Sequence, residues 1–351
     1  MKTPENSSVS PKARLTMAGL GLLLLAILAA SSALGDKAIG PATVAQALVG
    51  AEPAGAEIDA MIVRSIRLPR AVGGALVGAA LALCGAVMQA IFRNPLADPG
   101  LIGVSAGGAI GAIVFIVFGA ALVPAGWTLL LNGGMIVFPM AGSALVTILV
   151  YKLSQINGRT HVSTLLLTGL AVNALVGAAI GYAVYLASDD QLRGFTFWSL
   201  GSLARLDWEL VGVLGPLVLA MAFFAGSFSR RLNLLLLGES EALHLGVDVE
   251  ATRRKLIFAT AAVVGLTVSL CGMIGFVGLI TPHLCRLVLG PDHRLLLPAS
   301  ALLGASLLVA ADLLARTAIQ YSELPVGVVT ATIGAPFFLY LIAGAKKHAS
   351  V

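Results

Sequence analysis

The pentapeptide Gly103-Val104-Ser105-Ala106-Gly107 has the G-x-S-x-G spacing that can present a nucleophilic serine. That chemistry needs a strand before the serine, a helix after it, and an acid and a histidine to activate the hydroxyl. Here the motif follows the loop NPLADPG and opens a long apolar run, so it reads as a small, polar helix start that packs closely. Five histidines, His161, His244, His283, His293 and His348, show neither HExxH nor zinc-finger spacing. Cys84, Cys271 and Cys285 sit in apolar runs and form no CxxC pair. We therefore expect no catalytic residue and no metal site. A P-loop needs Gly-Lys before Ser or Thr, and Gly-Lys occurs nowhere in the chain. Any ATP-driven work must come from another subunit.

Two other constellations carry a specific meaning. The first is RRLNLLLLGESEALHLGVDVEATRRK at 230–255. Gly238 with Glu239 and Glu241 suits a helix start, because acids there meet the positive end of the helix dipole. Ser240, Leu243 and His244 continue that helix, and Gly246 ends it in a left-handed turn before Val247. Asp248 caps a second helix carrying Glu250, Arg253, Arg254 and Lys255. An apolar and acidic helical knob between two apolar runs is best explained as a docking surface. The second constellation is basic: Arg67-Leu68-Pro69-Arg70 at one end of a run, and Arg316 at the end of another. Such cations can snorkel to lipid headgroups or steer and hold an acidic partner.

The elements that position these residues follow from composition. Of 351 residues, 58% are hydrophobic and only 11% charged, and 40 more are Gly. A soluble domain has about 25% charged residues, and surface scales too steeply with mass for one fold to hide this much apolar area. Cytosolic enzyme, disordered chain and disulfide scaffold are excluded. The net charge of +5 is scattered at the ends of apolar runs, where topology signals belong, and does not point to nucleic acid. Long unbroken runs exclude a β-barrel, so the chain reads as one all-α polytopic membrane domain, 1–351.

Ten runs are expected, at 14–34, 69–92, 100–119, 134–153, 162–187, 211–229, 254–273, 274–289, 295–315 and 325–344. The first is long enough to span, and Ser31-Ser32-Ala33 is a poor processing site, so it is retained rather than cleaved. Residues 1–13 form a polar tail, and 41–50 a short surface helix. GMIGFVG at 272–278 permits a tight turn or a broken helix. Small residues four apart, Gly74/Gly78, Gly103/Gly107, Gly107/Gly111 and Gly177/Gly181, should let helices approach closely. If both termini are cytoplasmic, all Lys and Arg fall inside except Lys37, Arg64, Arg67, Arg70, Arg193, Arg205 and Arg316.

Four segments in order, IRLPRAVGGALVGAALALCGAVMQAIFRNPLADPGLIGVSAGGAIGA (66–112), LLGESEALHLGV (236–247), 272–316 and ELPVGVVTATIGAPFFLYLI (323–342), resemble the FecCD family of permease subunits. These serve ABC importers for vitamin B12, ferric siderophores and haem. The resemblance covers nearly the whole chain beyond residue 60. It implies a ten-helix, type II ABC importer permease fold in the bacterial inner membrane, working as a homodimer. Two ATPase subunits carrying ATP and Mg would attach inside, and a periplasmic substrate-binding protein would cap the outside. By the same resemblance, 238–252 is the coupling helix pair that seats in the ATPase. Arg67, Arg70 and Arg316 match positions that meet acids on the binding protein. The pathway would follow the fifth helix, with Thr168, Val172, Asn173 and Val176 as lining candidates. The stretch SDDQLRGFTFWSLGSL (188–203) looks like the haem-importing branch, with Phe197 and Trp198 able to pack on a planar ligand.

Two other classes compete. An ion-coupled secondary transporter needs ionisable residues deep in the membrane; Asp312 is the one clear acid in a run, while Gln89, Asn132 and Asn173 carry no proton. An intramembrane hydrolase would rest on Ser105 alone.

Overall fold

A computed structural model describes residues 10–349 apart from 36, 51–54, 125, 320 and 321, so the tip of the polar tail lies outside the described residues. The side chains of Asn132, Lys346 and Lys347 also lie outside them.

The chain folds as helices in this order: α1 Pro11–Ala33, α2 Pro41–Leu48, α3 Glu57–Ile62, α4 Leu68–Phe92, α5 Val104–Leu122, α6 Thr128–Leu153, α7 Val162–Leu186, α8 Asp189–Ser199, α9 Trp208–Ser227, α10 Ser229–Leu235, α11 Glu239–His244, α12 Val249–Cys271, α13 Val277–Leu289, α14 His293–Thr317 and α15 Val326–Ala349. A π-helical turn, Val63–Arg67, joins α3 to α4 without a break. A 3₁₀ turn, Pro99–Ile102, precedes α5. Between α6 and α7 a small hairpin pairs β1 (Gln155–Ile156) with β2 (Arg159–Thr160) in antiparallel register.

Among the described residues, eight helices are long and apolar enough to cross a membrane. They match eight of the ten expected runs. The eighth run, 274–289, is α13, a helix of 13 residues. At 1.5 Å per residue it is about 20 Å long, short of the roughly 30 Å hydrocarbon core. The glycines at the boundary break the chain rather than turn it. Gly272 has φ +72°, residues 272–276 leave the helix, and Phe276 takes φ +68° before α13 begins. The tenth run is α15, described in full to Tyr340.

Helix α4 is the axis of the packing. Every residue from Ala80 to Phe92 is buried, because neighbours cover all its faces. Missing side chains allow this. A Cβ on Gly78 would collide with the Gly304 carbonyl of α14, and one on Gly85 with the Gly278 carbonyl of α13. In lipid, such backbone contacts replace the hydrophobic drive that is absent between helices. Gly107 and Gly111 likewise seat α5 on α6, against Gly142 and Phe138. Three of the four expected small-residue pairs thus pack within the chain. Gly177/Gly181 does not; nothing lies within 4 Å of a Cβ at either position. That pair lies on the exposed side of α7, which meets the rest of the chain through Leu165, Gly169, Val172, Val176 and Ala183.

Candidate functional site

Three places hold the residues singled out above: the knob at one end of the bundle, a charged cluster at the other, and the face of α7 between them.

The knob forms because its sequence caps both helices. Gly238, at φ +127°, starts α11, with Glu239 and Glu241 in its first turn. Gly246 takes φ +82°, a conformation that costs a residue with a Cβ roughly 1–2 kcal/mol. Asp248 then caps α12, accepting the Ala251 N–H at 2.9 Å. The helix–Gly turn–helix expected at 238–252 is present. Ser240, Glu241, Leu243, His244 and Gly246 are exposed, and Leu237 and Leu245 widen the apolar surface beside them. Val247 is buried, and Glu239 bonds inward to Arg253 while 38% of its side chain stays exposed.

What Glu239 turns toward went unnoticed in the sequence. Arg253, only 3% exposed, donates from Nη2 to Glu239 Oε1 at 2.5 Å and from Nη1 to the Thr160 carbonyl of β2. Glu250 lies 3.9 Å from the same guanidinium. Its Oε1 accepts the Tyr151 hydroxyl at 2.9 Å and the Thr160 hydroxyl at 2.7 Å; its Oε2 accepts the Thr160 N–H at 3.0 Å. Glu250 and Arg253 share a helix face at i, i+3, which is the one local signal of this cluster. The adjoining end of α14 is tied by Asn233, which donates to Asp292 at 2.7 Å and accepts from the His293 N–H at 2.9 Å. Partial burial pushes the Asp292 carboxyl up, but the Arg294 N–H, the Asn233 amide and nearby positive charge outweigh it and hold the group below its usual range.

At the opposite end stand the three arginines expected to meet acids on a binding protein. Arg67, Arg70 and Arg316 are 6–7% exposed. Arg70 donates to both oxygens of Asp312 at 3.1 Å and to Glu323 at 2.9 Å through each terminal nitrogen. Arg316 Nε stands 3.2 Å from the second Asp312 oxygen, and its Nη2 donates to the Ser31 hydroxyl at 2.8 Å. Arg67 donates to the carbonyls of Ser32, Ala33 and Lys37. The cluster binds α1, α4, α14 and the chain before α15 together. The reason is the acids: Asp312 is 1% exposed and lies 242 residues beyond Arg70, so local sequence gives no hint of the pairing. A carboxylate this deep, bonded by two guanidinium groups, ties the helices that carry them together.

On α7 the pathway candidates divide. Val172 and Val176 are buried within the chain, so they do not face an opening, and Thr168 and Asn173 are half-buried. Asn173 donates to the Gly100 carbonyl at 3.1 Å. Leu167, Leu170, Ala171, Ala174, Leu175 and Ala178 form the exposed face instead. The run is apolar all round, so its period does not tell which stripe packs. Ser105 opens α5 with no strand before it, as expected of a helix start. Among the described residues no three His, Cys, Asp or Glu gather as metal ligands. At the end away from the knob, Phe197, Trp198, Arg205 and Met135 line a cavity of about 340 Å³. Trp198 stacks with Phe195 at 6.1 Å.

Comparison with known proteins agrees with this architecture. The FecCD transport family matches residues 22–344. The hemin transport system permease protein HmuU of Yersinia pestis is 41% identical, over 98% of this chain and 99% of the relative. The cobalamin import system permease protein BtuC of Halobacterium salinarum is 40% identical, over 95% of this chain and 96% of that protein. A solved structure described as an inward-facing ABC transporter of metal-chelate type superposes with a TM-score of 0.80 at 32% identity, covering 94% of this chain and 99% of that one. The chain therefore belongs to the FecCD transport family, and it is a multi-pass membrane permease rather than an enzyme.

Proposed function

We propose that this permease imports haem, or a related iron chelate, from the periplasm to the cytoplasm as the membrane half of an ATP-driven importer. The carrying observation is the 41% identity to a hemin permease along essentially the full length of both chains. The cavity beside Phe197 and Trp198 adds chemical sense: it joins apolar, aromatic walls to the Arg205 cation, which suits a planar ring bearing carboxylates.

In this reading two copies of the chain sit in the bacterial inner membrane with both termini cytoplasmic, and the exposed face of α7 lines the path between them with Thr168 at its edge. Two ATPase subunits, which bring ATP and Mg, seat on the exposed residues of 238–252. A periplasmic substrate-binding protein meets the far end. There, three guanidinium groups against two carboxylates leave a net positive charge that acts at a distance although the arginines are buried. Cobalamin is the second reading, supported by the 40% identical cobalamin permease.

The test is uptake by proteoliposomes holding the permease with its ATPase and binding protein. Haem, a ferric siderophore and cobalamin are offered in turn. Haem uptake that depends on ATP and binding protein is expected. Uptake of cobalamin alone would move the assignment to the second reading.

A further inference from the structure

Beneath the knob, one buried side chain bonds to both the knob and the hairpin. Glu239 belongs to α11, Arg253 and Glu250 to α12, Thr160 to the hairpin and Tyr151 to α6. The hydrogen bonds run Glu239–Arg253–Thr160–Glu250–Tyr151 without a gap. A small hollow of about 260 Å³, lined by Arg159, His161, Leu243 and Asp248, lies over this chain of bonds, so knob and hairpin face each other directly. A guanidinium buried to 3% exposure cannot be left unpaired without a large cost. Any shift of α11 relative to the hairpin would strip Arg253 of Glu239 or of Thr160. The cheaper course is for knob and hairpin to move together. β2 ends at Thr160, and α7 starts at Val162. Helix α7 is also the span held to the chain by only a narrow stripe of buried residues.

We infer that Arg253 is the positioning residue that hands a displacement of the α11 knob to the β1–β2 hairpin and so to α7. The inference rests on the proposed seating of an ATPase on the knob. It adds the route by which that subunit would be felt at the exposed face of α7. Arg253 touches neither ATP nor substrate; it acts through Glu239 and Thr160.

The experiment uses the reconstituted complex, with haem as the transported probe and cobalamin as a second arm. It measures ATPase association, ATP hydrolysis and probe moved per ATP hydrolysed. For R253A we expect association and hydrolysis close to wild type, with transport per ATP falling by roughly tenfold, inside the about 5- to 150-fold span of couplings between sites. R253K, a point charge without the two-armed fork, should fall between wild type and R253A. E250A leaves Arg253 on both Glu239 and the Thr160 carbonyl but frees the Thr160 N–H and hydroxyl, which loosens the hairpin end of the route, so it should lower transport per ATP by less than R253A. The double variant R253A/E250A should be no worse than R253A, because both act on one route. Should R253A fail to assemble, E250A decides: a loss per ATP supports the route, and an unchanged ratio overturns it. An unchanged ratio in an assembled R253A also overturns it. Failure of the seating itself looks different: E241K and L243D would then leave ATPase association intact.

Discussion

Asp312 sits between Arg70 and Arg316 with 1% of its surface exposed. Removing one member of a buried pair leaves its partners charged and dry, a change that costs about 3–5 kcal/mol. D312A should therefore lower the thermal midpoint of the purified permease sharply, and D312N should be only partly better, since it keeps hydrogen bonding but not the charge. Substituting Glu323, whose side chain is 45% exposed, should cost much less, because water can solvate what it leaves behind. Thermal unfolding in detergent checks all three; equal losses for Asp312 and Glu323 would deny the buried character of the cluster. At this scale the sequence was legible where the partner is local. The left-handed turn at Gly246 and the cap at Asp248 are read from neighbouring residues. Arg70 with Asp312, or Arg253 with Thr160, are pairs made across the fold, and no window of sequence contains both members.

Among elements, the two outcomes for small-residue pairs separate internal packing from contacts that the single chain does not make. Gly78 meets the Gly304 backbone, so G78L must push α4 and α14 apart and should prevent stable folding. Gly177 has open space beside it on a face of α7 that is exposed. G177L should leave the folded monomer intact and weaken self-association, because a close helix contact between copies needs a small residue there. Size-exclusion with light scattering reads the first as aggregation and the second as a shift from dimer to monomer. A G177L protein that stays fully dimeric would place the contact between copies elsewhere. The extent and order of the elements were legible because a lipid-spanning run needs length and apolarity, both visible in sequence. Which stripe of α7 packs inward was hidden, since every stripe is apolar. The half-length of α13 was hidden as well, because a continuous apolar run does not disclose where extended backbone interrupts it.

For the whole molecule, the distribution of charge bears on a conflict that the sequence posed. Seven basic residues fall at the end away from the knob, too many for a simple positive-inside pattern. Arg67, Arg70 and Arg316 are buried among carboxylates and carbonyls, Lys37 pairs with Asp59 at 2.5 Å, and Arg64 donates to the Ala47 carbonyl at 2.8 Å. At the knob end, Arg93, Lys152, Arg159, Arg230, Arg231, Arg254, Lys255 and Arg294 are all exposed. The signal that sets orientation is carried by charges that meet the headgroups and the translocation machinery, not by those consumed in ion pairs. Counted in that way, the exposed cations at the knob end stand against Lys37, Arg193 and Arg205 at the other, which supports the proposed cytoplasmic knob. Two single-cysteine variants test it on intact inner-membrane vesicles, the three native cysteines being buried. Ser240→Cys lies on the exposed knob, and Glu209→Cys lies on the exposed first turn of α9 at the far end. In right-side-out vesicles a membrane-impermeant maleimide should label Glu209→Cys and spare Ser240→Cys, and in inverted vesicles the pattern should reverse. Labelling of Ser240→Cys from outside would turn the molecule over. It would also remove the knob from reach of any cytoplasmic ATPase, which makes this orientation the condition on which the coupling of the whole importer depends.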